Sequence, residues 1–393
     1  MKLFSDHYVD RSTSYSAKWS SLYDNPNIIS MSVADMDLPS PLLLINQLKK
    51  QAEIGIYGYT ILPRNYNEIV KNYILRHYNY NVLDEYIVFC PRIIQAISIY
   101  IREFTKITDR IGTFIPSYSN ILNIILHNQR TLEFCELDYQ DGNYSINFEE
   151  LEKCFQKINT FILISPHNPT GIVWSREELQ RIAELAEKYK VFIISDDIHA
   201  DFNFSSKKHI VISALNKYVE YHSMICTSPT KTFNIPGLEI SNIIIANKGV
   251  REKFKQCMLE LGLHNPNFFS IPAIMSAYQF CDDWIKELKT YILENKEFVN
   301  KFLTKEIPEL KVTNSKGTFL VWINYEKLNI NERKLKHWFV ELSGVEVSWG
   351  SDFFTDKPFF RMNIALPKPL LKESLYKIKH GLMLLKKEDF YYE

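Results

Sequence analysis

Three short runs without a single charge, Phe161–Ser165, Val191–Ser195 and Met224–Thr227, each stop at a knot of polar residues. The first meets Pro166-His167-Asn168-Pro169-Thr170-Gly171, the second Asp196-Asp197-Ile198-His199, and the third Ser228-Pro229-Thr230-Lys231. Apolar runs of this length with no in–out alternation are strands covered on both faces. Between the first two lies a helix, opened by a Ser175/Glu178 capping box and lined on one face by Leu179, Ile182, Ala183, Leu185, Ala186 and Tyr189. The same alternation starts upstream, with strands at Tyr86–Cys90 and Arg110–Ile115 followed by helical spacing over Ile93–Phe104 and Ile121–Leu126, and Ile240–Ala246 adds a further strand. The class is α/β, a mainly parallel sheet covered by helices. Such a sheet displays its chemistry at the carboxyl ends of its strands, where the polar knots fall.

Beyond about residue 283 the texture changes. Lysine-rich helical segments, Asp283–Leu303 and Arg333–Leu342, flank strands at Phe319–Ile323 and Phe360–Ile364, which reads as a smaller C-terminal α+β domain. The expected division is therefore an N-terminal arm and joining segment over 1–40, a large domain over 41–283 and a small domain over 284–393. Residues 1–30 are polar and turn-rich, as an arm is rather than a packed element. Asp37 and Ser40 are placed to cap a helix that Pro41 starts. Gly55–Thr60 makes a glycine-hinged loop carrying Tyr57 and Tyr59. Arg361, inside an otherwise apolar strand, needs a partner, and a structural salt bridge or an anionic ligand would each serve.

Composition narrows the partners. Lys plus Arg equals Asp plus Glu at 46 each, so no net field draws the chain to nucleic acid or an anionic membrane surface, and a small molecule is the expected partner. The first residues carry no apolar signal core and no run approaches a membrane span, which predicts a cytoplasmic protein. The six cysteines are scattered, several in apolar runs, as buried reduced thiols are. No metal site is expected.

The strand ends jointly offer an Asn, an Asp, a His, a Ser-x-x-Lys and a Tyr, with a distant Arg. A cofactor with a pyridine ring, a phenolic oxygen, an aldehyde and a phosphate would use every one of them, and pyridoxal 5′-phosphate (PLP) is that cofactor. Lys231, just past a buried strand, is then the candidate Schiff-base lysine.

Nearly the whole chain, from Lys18-Trp19 to about Pro367, resembles the fold-type I PLP enzymes, and within them the MalY/PatB class of carbon–sulfur β-lyases. The resemblance rests on Val33-Ala34-Asp35-Met36-Asp37, Gly58-Tyr59-Thr60, His167–Trp174, Ser195–Asp201, Lys231–Gly237 and Arg361–Ala365. It implies a PLP-binding large domain and a homodimer with shared active sites. Lys231 would hold the cofactor and act as base at the substrate α carbon. Asp196 would keep the pyridine nitrogen protonated, Asn168 would donate to the phenolic oxygen, and His199 would sit near the same edge. Tyr118 would stack on the ring. Ser228 with the backbone amides of Ile93 and Ile94 would take the phosphate, joined by Tyr59 from the second subunit, which would also belong with Lys231 to the catalytic groups. Arg361, with Asn168 and Ala34, would receive the amino-acid substrate.

The activity so implied is α,β-elimination on a cysteine-derived L-amino acid such as cystathionine, cysteine or an S-conjugate. An aminotransferase on the same scaffold is the alternative enzyme, and a regulatory or binding protein that keeps the PLP fold is the alternative outside enzymology. Three positions depart from the family pattern. Arg92 stands where such lyases carry glycine, free to crowd the phosphate cup, pair with the phosphate or read a second acidic group on a substrate. Glu239 stands eight positions past the lysine, where an arginine is frequent, and Asp197 replaces the usual Glu.

Overall fold

The computed structural model describes residue 4 and residues 9–392. Its main sheet has eight strands: β1 (Ile87–Cys90), β2 (Arg110–Ile115), β3 (Thr131–Gln140), β4 (Asn143–Ile146), β5 (Thr160–Ile164), β6 (Phe192–Asp196), β7 (Ser223–Thr227) and β8 (Ser241–Ile244). Their spatial order is β1-β8-β7-β6-β5-β2-β3-β4. Strands β3, β2, β5, β6 and β7 run parallel, β8 runs against both its neighbours, and β4 folds back on β3. The missing in–out polarity has a simple cause: Phe161 and Leu163 of β5 enter one apolar core, while Ile162 and Ile164 enter the other. Helices α1 (Leu42–Glu53), α2 (Ile93–Phe104), α3 (Ser119–His127) and α4 (Arg176–Tyr189) belong to this part. The Ser175/Glu178 capping box is present at the start of α4.

The register places the site. Ile162 lies opposite Ile194, and Ile194 opposite Met224, so β5, β6 and β7 end side by side. Asn168, Asp196 and Ser228 are thereby delivered to one edge from three distant stretches of chain. A second sheet, β9 (Lys311–Val312), β10 (Leu320–Asn324), β11 (Ser348–Trp349) and β12 (Phe359–Asn363), is antiparallel in the order β9-β10-β12-β11. Long helices α5 (Asp282–Glu306) and α6 (Lys368–Tyr392) accompany it. Arg361 of β12 sits across from Trp322 on one side and Ser348 on the other. The helix expected over 333–342 begins as an α-helix, Glu332–Lys336, and continues as a π-helix, His337–Leu342. Among the described residues, no helix is long and apolar enough to cross a membrane.

Two expectations fail around Asp37. The described part of the stretch expected as an arm packs in places: Lys18 and Trp19 are buried and Ile29–Ser30 pairs in parallel with Val345–Glu346, while residues 12–15 stay exposed. The anchor is the buried Asp37 carboxylate, which accepts from Lys18 Nζ at 2.7 Å, Arg11 Nη1 at 2.7 Å and the Trp19 indole at 2.9 Å. Removing one member of such a buried charge pair costs about 3–5 kcal/mol, because its partner is left unpaired. Asp37 is therefore no helix cap, and neither is Ser40, whose hydroxyl donates to the Phe233 carbonyl at 2.9 Å; α1 starts after Pro41 with no side-chain cap. The cysteine expectation also needs correction. Cys135 of β3 and Cys154 of the helix Phe148–Phe155 are joined in a disulfide, while Cys90, Cys226, Cys257 and Cys281 are free and buried.

Candidate active site

A cavity of about 810 Å³ opens where the carboxyl ends of β5, β6 and β7 meet the second sheet. Its wall includes Ala34, Ile93, Ile94, Tyr118, Asn168, Asp196, His199, Ser228, Lys231 and Arg361. Every predicted site residue except Tyr59 is thus brought to one place. Tyr59 lies fully exposed in the loop after α1, away from this wall.

Lys231 is held by the segment it faces. Its Nζ donates to the carbonyl of Ala34, and Asn234 clamps the two stretches together. The Asn234 amide donates to the Met36 and Leu38 carbonyls at 2.8 and 2.9 Å and accepts from the Met36 N–H at 3.0 Å. On the other side Thr232 donates to the buried Asp201 at 2.6 Å, which also receives the hydroxyls of Tyr73 and Tyr78. Burial lowers the Lys231 amine to about 8, against the raising influence of Asp35 and Asp196. An amine in that range is available as nucleophile and base near neutrality.

Asp196, at the end of β6, is pushed up to about 7, chiefly by burial and further by its neighbour Asp197, while the Ile198 N–H and Lys231 pull it down. A cation placed beside it would restore its charge. Asp197 faces away from this carboxylate's role: its oxygens accept from Ser195 at 2.5 Å and meet His209 Nε2 at 2.8 Å. His199 is buried, and desolvation with the charges of Lys231 and Arg361 holds its imidazole well below the usual range, hence neutral. Its Nδ1 has no hydrogen-bond partner among the described residues.

Arg361 is buried at 5% exposure, yet the groups that hold it are uncharged: Asn168 Oδ1 at 3.0 Å, the Ser32 carbonyl at 2.9 Å and Ser348 Oγ at 3.1 Å. Burial lowers it to about 10 against the raising influence of Tyr118 and Asp352, its Nε has no hydrogen-bond partner among the described residues, and its guanidinium lies over the Phe353 ring. The salt-bridge explanation for this residue therefore fails among the described residues. Because Asn168 Oδ1 is taken by Arg361, its Nδ2 is the end left to donate into the cavity. Tyr118, just before α3, accepts from Asn120 at 2.6 Å, and burial raises its phenol.

At the opposite end, α2 begins with no side-chain cap, so the N–H groups of Ile93 and Ile94 are free to bind an anion. Ser228 caps the short helix Pro229–Thr232, accepting from the Thr230 N–H at 3.1 Å and donating to the Ile240 carbonyl at 2.7 Å. Arg92 pairs with Glu239, a partner that none of its three expected roles named. Sequence reasoning missed Ser32, Ser348 and Thr230. Thr230 was signalled by its place in Ser-Pro-Thr-Lys, whereas Ser32 and Ser348 act through a backbone carbonyl and a cross-strand position that no local pattern marks.

Comparison with known proteins places this arrangement. The model of the family "Aminotransferase class I and II" matches residues 26–378. The chain is 31% identical to cystathionine beta-lyase PatB of Bacillus subtilis (strain 168) over 383 residues, covering 96% of this chain and 99% of that protein. It is 26% identical to the protein MalY of Escherichia coli (strain K12), covering 93% and 95%. Cystalysin from Treponema denticola, whose crystal structure contains pyridoxal 5′-phosphate, superposes with a TM-score of 0.92 at 29% identity, covering 96% of this chain and 98% of that one. The chain therefore belongs to the aminotransferase class I and II family and, within it, stands with PatB and MalY.

Proposed function

We propose that the protein is a PLP-dependent carbon–sulfur β-lyase acting on an L-amino acid with sulfur on its β carbon. The observation that carries this reading is the likeness to a cystathionine beta-lyase over 96% of the chain, with a complete set of site groups around one cavity. The cavity suits the cofactor on its own terms. An acid raised to about 7 waits for a cationic ring nitrogen, a lowered lysine for an aldehyde, and an uncapped helix end for a phosphate.

When bound, PLP supplies an electron-withdrawing ring conjugated to the substrate nitrogen, which takes up the electron pair left at the α carbon. The chain does the rest. Asp196 would hold the ring nitrogen's proton, Asn168 Nδ2 would donate to the phenolic oxygen, and neutral His199 and Tyr118 would line the ring. Arg361 grips the substrate carboxylate through its fork, with Ala34 alongside. Lys231 would remove the α proton, the Cβ–S bond would break with the sulfur leaving as a thiol once protonated, and the remaining enamine would be hydrolysed by water to pyruvate and ammonia.

The loop after α1 fits a homodimer. Ile54, Ile56, Tyr57, Tyr59 and Ile61 stand exposed together, and Thr60 and Tyr57 tie the loop to Pro266, Phe268 and Phe269. An exposed apolar patch of this kind is what a second copy would cover. In that dimer Tyr59 reaches the partner's phosphate end, and the protein works in the cytoplasm.

Incubation with cystathionine or an S-alkyl-cysteine, with no keto acid present, tests the activity. Release of pyruvate and thiol in equal amounts over many turnovers is expected. Conversion of bound cofactor to pyridoxamine phosphate with no thiol released would mean transamination and would overturn the lyase reading.

A further inference from the structure

Two of the residues that depart from the family pattern turn out to be each other's partner. Arg92 is the residue immediately before α2, and Glu239 ends the turn Pro236–Leu238 that follows the lysine loop, in a left-handed conformation with φ 51°. Their side chains form an ion pair, and both line the cavity at the end where Ile93, Ile94, Ser228 and Thr230 are gathered. A carboxylate at an anion-binding end repels a phosphate dianion, and the repulsion is strong at the short distances inside a cavity. The pair itself is open to solvent, with the two side chains 58% and 38% exposed, so it does little for the stability of the fold. Its position, rather than its strength, is what needs explaining.

We propose that Arg92 is the cation that balances the cofactor's phosphate in this protein, and that Glu239 holds it at the cavity mouth when the phosphate is absent. The pair then sets how tightly PLP is retained: Arg92 favours the phosphate, Glu239 opposes it, and each acts through the other. The inference rests on the PLP reading above and adds to it a pair that governs cofactor affinity.

Titration of the cofactor-free protein with PLP, followed by fluorescence quenching, tests it in four forms: unsubstituted, Arg92→Gln, Glu239→Gln and the double variant. Arg92→Gln leaves Glu239 unpaired facing the phosphate and should raise Kd at least 10-fold. Glu239→Gln should lower Kd about threefold or more. The double variant should return to within a few-fold of the unsubstituted protein. Pyridoxal, which lacks the phosphate, should bind all four alike. Equal thermal unfolding of the four forms, expected from their exposed positions, ties the changes to the site. If Arg92→Gln binds PLP as tightly as the unsubstituted protein, or loses pyridoxal in the same proportion, the pair has no such role although the cofactor reading stands. If the unsubstituted protein binds no PLP, both fall together.

Discussion

Two arginines line the same cavity and live under opposite conditions. Arg361 is buried, held by an amide oxygen, a backbone carbonyl and a hydroxyl, and has no carboxylate paired with it among the described residues. Arg92 is open to solvent and already paired with Glu239. A buried cation whose hydrogen-bond partners are all neutral is costly to desolvate, and Tyr118 and Asp352 offset part of that cost for Arg361. An exposed cation with a partner of its own is cheap, and its role is to adjust affinity rather than create it. The contrast separates a buried cation held by neutral groups from an exposed one held by a carboxylate.

Arg361→Leu removes the buried cation and should lower kcat/KM for an L-amino acid by about 10²–10³-fold, roughly 3–4 kcal/mol, whereas Arg92→Gln should leave KM nearly unchanged at saturating PLP. Similar losses from both would erase the distinction. The burial that lowers Arg361 also lowers Lys231 to about 8. The neutral amine is the reactive form, so the rate at which cofactor-free protein captures PLP should rise about 50-fold between pH 6 and 8 and flatten above that. A rise continuing to pH 10 would mean the amine is not perturbed. Asn168→Asp gives Arg361 the internal carboxylate it lacks, making it resemble Arg92. KM should increase about 10-fold, about 1.4 kcal/mol, and an unchanged KM would show that the neutral partner does not matter. Ser348→Ala deletes one neutral acceptor, worth about 1 kcal/mol, and should raise KM only a few-fold.

Much of this was legible in the sequence, for reasons that differ by residue. The runs around Ile162, Ile194 and Ile225 gave their strands to within about a residue, because strands buried on both faces carry no polar interior to blur their limits. Strand β3 was not read, since as part of an edge hairpin it interleaves Glu133, Glu136 and Asp138 with its few buried positions. The candidate residues at strand ends were legible because β5, β6 and β7 share one direction and register. What holds them was not. Asp37 gathers Lys18 and Arg11 across a gap that only folding closes, and its local position next to a proline-started helix points to a cap instead. Arg92 and Glu239 were each visible as departures, but 147 residues separate them, and nothing in either stretch reveals the other.

The central claim is that this cavity is built to carry PLP on Lys231. Borohydride reduction of the PLP-loaded protein, followed by peptide mass analysis, tests it most directly. One reduced phosphopyridoxyl group on the peptide containing Lys231, absent from a Lys231→Ala protein, is the predicted result. Label spread over surface lysines, or unchanged labelling in Lys231→Ala, would contradict it.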